Sequence, residues 1–106
     1  MKENLLRKTP ADLPEELLDI LCQTDDVRIE RIVSRGQTSP PGFWYDQDWH
    51  EFVLLVNGRA RLAFADGTPE VDMQPGDWLV IKAHLRHRVA WTDPAQDSVW
   101  LAVHYR

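Results

Sequence analysis

The chain has a single cysteine, Cys22, so it can form no internal disulfide. No histidine lies close to Cys22 in sequence, and no Ser-His-Asp or Cys-His arrangement offers a catalytic nucleophile. Long apolar runs are missing too. None exceeds the length of Phe52 to Val56, which falls far short of the ~20 residues of a membrane-spanning helix. The N-terminal stretch Met1 to Lys8 lacks the apolar region of a signal peptide. A cytoplasmic protein with no membrane partner is the simplest expectation. Positive charge is scarce: 12 Lys and Arg stand against 17 Asp and Glu, for a net charge of -5. A duplex-binding surface needs a basic patch, and Arg86 and Arg88 do not outweigh this balance, so nucleic acid is not an expected partner. No repeat, low-complexity tract or linker divides the chain.

What is present fits one domain. At 106 residues and 43% hydrophobic content the chain can build one core. A domain of this size gains from dimerisation, and the five tryptophans supply large apolar area for a core or a homodimer interface. Residues 1–26 form an N-terminal segment. Within it, Asp12 and Glu15 match a capping box, Pro14 suits a first helical turn, and Leu13, Leu17, Ile20 and Leu21 recur at helical spacing. These predict a short helix at about residues 13–22. Residues 27–106 read as β throughout. Short alternating or apolar runs are separated by Asn57-Gly58, Asp66-Gly67 and Pro75-Gly76, which are strong turn signals. Val27, Ile29 and Val33 share a face that Arg31 interrupts. About eight strands in this pattern predict an all-β sandwich or barrel.

Two polar groups stand at the starts of apolar segments: Glu51, before Phe52 to Val56, and His87. Arg86 and Arg88 flank His87. Turning them inward would bury two unpaired charges at a cost of several kcal/mol each. Strand alternation therefore points His87 inward, with Val89 and Trp91 on its face. An inward histidine is either a ligand or a hydrogen-bonded core residue. Alternation does not orient Glu51. Both faces of its strand are apolar, so either His50 or Glu51 can face the lumen, but not both.

These residues resemble the cupin superfamily. The first cupin motif ends in Glu, six residues, then Gly, as from Glu51 to Gly58. The second runs from Gly through five residues to Pro-x-Gly-x-x-His, as from Gly76 to His87, with Lys82 in place of Pro and His84 in place of Gly. Histidine is one of the few non-glycine residues tolerated at positive φ, which suits His84 to a turn role. The resemblance implies a double-stranded β-helix, or jelly-roll barrel, and a homodimer. It also implies a divalent metal, Mn, Fe, Ni or Zn, held by Glu51 and His87. The usual His-x-His pair before the Glu is missing from Trp44 to His50; its positions fall on Tyr45 and Gln47 in one register and on Trp44 and Asp46 in the other. Asp46 or Gln47 is then the candidate third ligand, with Tyr45 and Trp91 lining a small-molecule pocket. The function so implied is a cupin binding a metal and a small molecule, with oxygenase, isomerase or decarboxylase chemistry. The alternative is a non-catalytic, metal-free binding cupin whose ligand, an anion, is drawn by His87.

Overall fold

The computed structural model describes residues 1–106 and contains eight strands and no helix: β1 Leu17–Gln23, β2 Val27–Ser34, β3 His50–Asn57, β4 Ala60–Phe64, β5 Val71–Met73, β6 Trp78–Ile81, β7 His87–Thr92 and β8 Ser98–Tyr105. No helix is therefore long and apolar enough to cross a membrane. The strands form two sheets. One has five strands in the order β1-β2-β8-β3-β6, and the other three in the order β5-β4-β7. The all-β expectation holds, but the sheets are not closed into a continuous barrel.

The expected helix at 13–22 is replaced by β1, which pairs antiparallel with β2 along the sheet edge. The physical reason lies in the partners. Extended residues 16–19 point alternately to the two faces of the sheet. Asp19 then stands opposite Arg31 and pairs with it at 3.1 Å, while the Ser34 hydroxyl donates to the Glu16 carboxylate at 2.9 Å. A helix would forfeit both contacts. Arg31, which interrupted the apolar face of β2, is 1% exposed. It lies under residues 5–7 and donates to the carbonyls of Leu5 and Arg7 at 2.8 and 3.0 Å. A buried guanidinium is tolerable because its donors are met.

The turns fall where their turn residues stand, but of the three only Asp66-Gly67 closes a hairpin, β4 against β5, while Asn57-Gly58 and Pro75-Gly76 carry the chain from one sheet to the other. Gly58 has a φ of 93°, and a Cβ there would meet the Ser98 Cα at 2.5 Å, so only glycine fits. The core packs the inner faces of both sheets together. Val53, Leu55 and Trp100 come from the larger sheet, and Ala60, Leu62 and Met73 from the smaller. At one end this core gives way to a cavity.

Candidate functional site

Glu51 and His87 come from opposite sheets and meet at the cavity. Glu51 is 8% exposed and His87 6%. The register places Glu51 opposite Ile81 on β6 and His104 on β8, on the inward face; the open question between His50 and Glu51 is settled for Glu51. His50 faces outward, where its Nδ1 accepts the Ala83 N–H at 3.0 Å. His87 faces inward as its flanking arginines required.

The ring of His87 is oriented by its own turn. Nδ1 lies 2.9 Å from the Leu85 carbonyl, which can only accept, so Nδ1 carries the proton in the neutral ring. Nε2 is thereby aimed at the Glu51 carboxylate, 3.5 Å away. Two acceptors face each other unless the imidazole takes a second proton. Burial works against the charged ring, but Glu51 and the Leu85 carbonyl outweigh it, and His87 titrates above the usual histidine value.

Tyr45 is strapped to β7 by two backbone hydrogen bonds with His87, at 2.7 and 3.1 Å. Its ring stacks on His87 with centroids 5.6 Å apart. The Gln47 carbonyl accepts the His84 N–H at 2.8 Å, which fixes the next stretch beside the same loop. Tyr45 and Gln47 therefore line the cavity, and Asp46 between them points away. Asp46 instead pairs with the exposed His84 at 2.7 Å and does not reach Glu51 or His87. His84, with a φ of 65°, holds the turn position expected of it. Trp91 also departs from expectation. The β4–β7 register shifts between Arg61 and Leu62, which reverses alternation after Val89. Trp91 is 37% exposed under the Arg61 guanidinium, and Thr92 is buried in its stead.

The cavity has a volume of about 120 Å³ and a mostly apolar lining that includes Ile32, Val53, Leu62 and Trp100. Roughly 150 Å³ of dry cavity holds benzene, so this one suits a group of similar size. Glu16 also lines it, a residue that the sequence pattern did not single out. Burial raises its pKa, against the Ser34 hydroxyl bond that lowers it and with the like charge of Glu30 adding to the rise. Behind Glu51, the buried His104 bonds Glu30 at 3.0 Å, so a polar row crosses an otherwise apolar face. The His104 position on an alternating strand was the only sequence signal for this row.

The donor set falls short of a tightly held metal. Catalytic ions are commonly held by three His, Cys or carboxylate ligands. Glu51 and His87 converge, and Gln47, Tyr45 and Glu16 also line the cavity, but no group of three His, Cys, Asp or Glu is assembled.

Comparison with known proteins agrees with this architecture. No curated protein matches the chain. A Ralstonia eutropha protein named "putative mannose-6-phosphate isomerase" is 47% identical, with a TM-score of 0.95 over 99% of this chain and 97% of that one. A cupin superfamily protein from Desulfitobacterium hafniense is 21% identical, with a TM-score of 0.74 over 92% of this chain and 83% of that one. A polyketide cyclase from Streptomyces resistomycificus is 18% identical, with a TM-score of 0.73 over 87% of this chain and 66% of that one; these last two likenesses show the fold alone. The family model described as a cupin domain matches residues 31–104. With that match and the near-complete Ralstonia eutropha overlay, the chain belongs to the cupin family.

Proposed function

We propose that this chain binds a compact small molecule in the cavity between its sheets and moves a proton on it, with Glu51 and His87 as the acid–base pair. The observation that carries the reading is the 3.5 Å approach of two buried ionisable groups at the wall of an apolar cavity. Proton transfer by a positioned side chain is typically worth 10²–10⁴-fold in rate. The Leu85 carbonyl fixes the tautomer, so Nε2 is the basic atom, and Glu51 stabilises the imidazolium that forms. The mostly apolar lining leaves the transferred proton few competing hydrogen-bond partners. The isomerase name of the Ralstonia eutropha neighbour supports the reaction class, since aldose–ketose isomerisation is a proton transfer between adjacent carbons.

The test is exchange of carbon-bound hydrogen with deuterated water across a panel of compact carbonyl compounds. The wild type is expected to label at least one member, with Glu51→Gln and His87→Asn slower by at least about 100-fold. Labelling that survives both substitutions would remove the pair from the reaction. The same preparations address the metal. After incubation with Mn, Fe, Ni or Zn and desalting, the chain is expected to retain much less than stoichiometric metal. Stoichiometric retention that His87→Ala abolishes would restore a metal centre on Glu51, His87 and Gln47.

A further inference from the structure

The side chains around the cavity say what kind of molecule fits it. Leu18, Ile32, Val53, Leu62, Ile81 and Val89 reach it from β1, β2, β3, β4, β6 and β7, and Trp100 from β8. Every strand except β5 thus gives it an apolar group. The polar groups gather on one side, where Tyr45 stacks on His87 and Glu51 lies 3.5 Å from the same ring. A molecule rich in hydroxyls would give up water against these walls without gaining partners in exchange. A single oxygen finds a partner at His87.

Anions fare no better than polyols. Neither the cavity nor the adjoining cleft has a lysine or an arginine in its lining. Arg88 reaches the loop beside the cleft, but it donates to the Ser39 carbonyl at 2.8 Å and lines neither space. The one group able to carry positive charge is His87, and Glu51 stands beside it. Proteins hold phosphates and carboxylates chiefly with guanidinium and ammonium groups. Here an entering anion meets carboxylates: Glu51 in the cavity, Glu15 in the cleft, and the exposed Glu16 in both. Like charges so placed repel a wrong partner.

The apolar surface also continues outward. Leu18 is 51% exposed and Tyr45 38%, although both line the cavity. Phe43, 45% exposed, meets the Tyr45 ring edge-on at 4.9 Å. Exposed apolar groups beside a pocket mark a ligand surface.

We infer that the ligand is a neutral, mainly apolar carbonyl compound about one carbon ring in size, and that polyols and anions are rejected. Its oxygen is directed at His87 and its carbon skeleton packs on the strand side chains. This rests on the proton-transfer reading proposed above and narrows the substrate class of that site.

The indole N–H of Trp100, which lines the cavity, reports occupancy in nitrogen-labelled protein by magnetic resonance. Four probes are titrated: cyclopentanone, cyclohexanone, dihydroxyacetone and mannose 6-phosphate. Both cyclic ketones are expected to shift the Trp100 signal saturably, while the other two leave it in place. Cyclohexanone is expected to bind about fourfold more tightly than cyclopentanone, the worth of one buried methylene. Leu18→Asp is expected to weaken cyclohexanone by at least about threefold; the ring-size comparison needs no variant and stands if this one folds poorly. Equal affinity for the two ketones would overturn the apolar inference. Saturation by dihydroxyacetone or mannose 6-phosphate without the ketones would overturn it too, and would leave the cavity as the site of proton transfer. Silence of Trp100 toward all four probes would overturn both readings.

Discussion

Glu16 and His87 both favour the protonated form in the folded chain, for different reasons. Glu16 is raised by burial, and His87 by Glu51 and the Leu85 carbonyl against burial. In each case the folded pKa exceeds the unfolded one, so the stability contributed is fully present below the unfolded value and is lost as pH rises through the folded value. For Glu16 that loss begins near the ordinary glutamate value of about 4.3, and for His87 near the ordinary histidine value of about 6.5. Chemical denaturation across these ranges is expected to show a falling contribution in two windows. Glu16→Gln should flatten the acidic window and His87→Asn the neutral one. Glu51→Gln should move the His87 titration downward, which magnetic resonance of the ring reads directly; an unmoved His87 would mean that Glu51 does not govern it. His87 was legible in the sequence because two flanking charges fixed its direction. Glu51 was not, because its strand is apolar on both faces and only the register with β6 and β8 orients it.

At the scale of elements, the first strand shows how pairing overrides a local pattern. Leu13, Leu17, Ile20 and Leu21 fit a helical stripe, yet the Asp19–Arg31 and Glu16–Ser34 contacts exist only in the extended form. Long-range partners of this kind cannot be read from a local period. Because β1 was read as a helix, Glu16 went unseen as a wall of the site. Trp91 was misplaced by one inserted residue: the irregularity in β7 reverses every side chain after it. The turns at Asn57-Gly58, Asp66-Gly67 and Pro75-Gly76, in contrast, were legible, since their backbone demands are local, but only Asp66-Gly67 joins strands that pair with each other. Arg31 gives this scale its prediction. Arg31→Leu leaves Asp19 and the carbonyls of Leu5 and Arg7 without their buried donor. A loss of about 3 kcal/mol is expected, because Arg7 still reaches Asp19 at 2.7 Å. Limited proteolysis should then cut within the first sixteen residues before the remainder. Unchanged stability and an unchanged cutting pattern would show that Arg31 does not anchor this segment.

At the scale of the whole molecule, the larger sheet has an outer face that no segment covers near β6. Trp78 is 61% exposed, stacks on Phe52 at 5.3 Å, and stands beside Val80 on a strand with a free edge. Exposed apolar surface of this kind marks an interaction site, and an unpaired edge can take another strand. We propose a homodimer joined through this face by a second copy of the chain. Sedimentation equilibrium is expected to give a dimer for the wild type and a monomer for Trp78→Lys, with the fold retained. A monomeric wild type at high micromolar concentration would sink it. The strand order of the same sheet has one more consequence. β8, the eighth strand in chain order, lies in the middle, and β2 bridges it to β1. During synthesis β1 and β2 can form only an isolated two-stranded ribbon, which is marginal alone. The wall that carries Glu16 therefore waits until residues 98–105 have left the ribosome, and ligand cannot help the nascent chain fold before then.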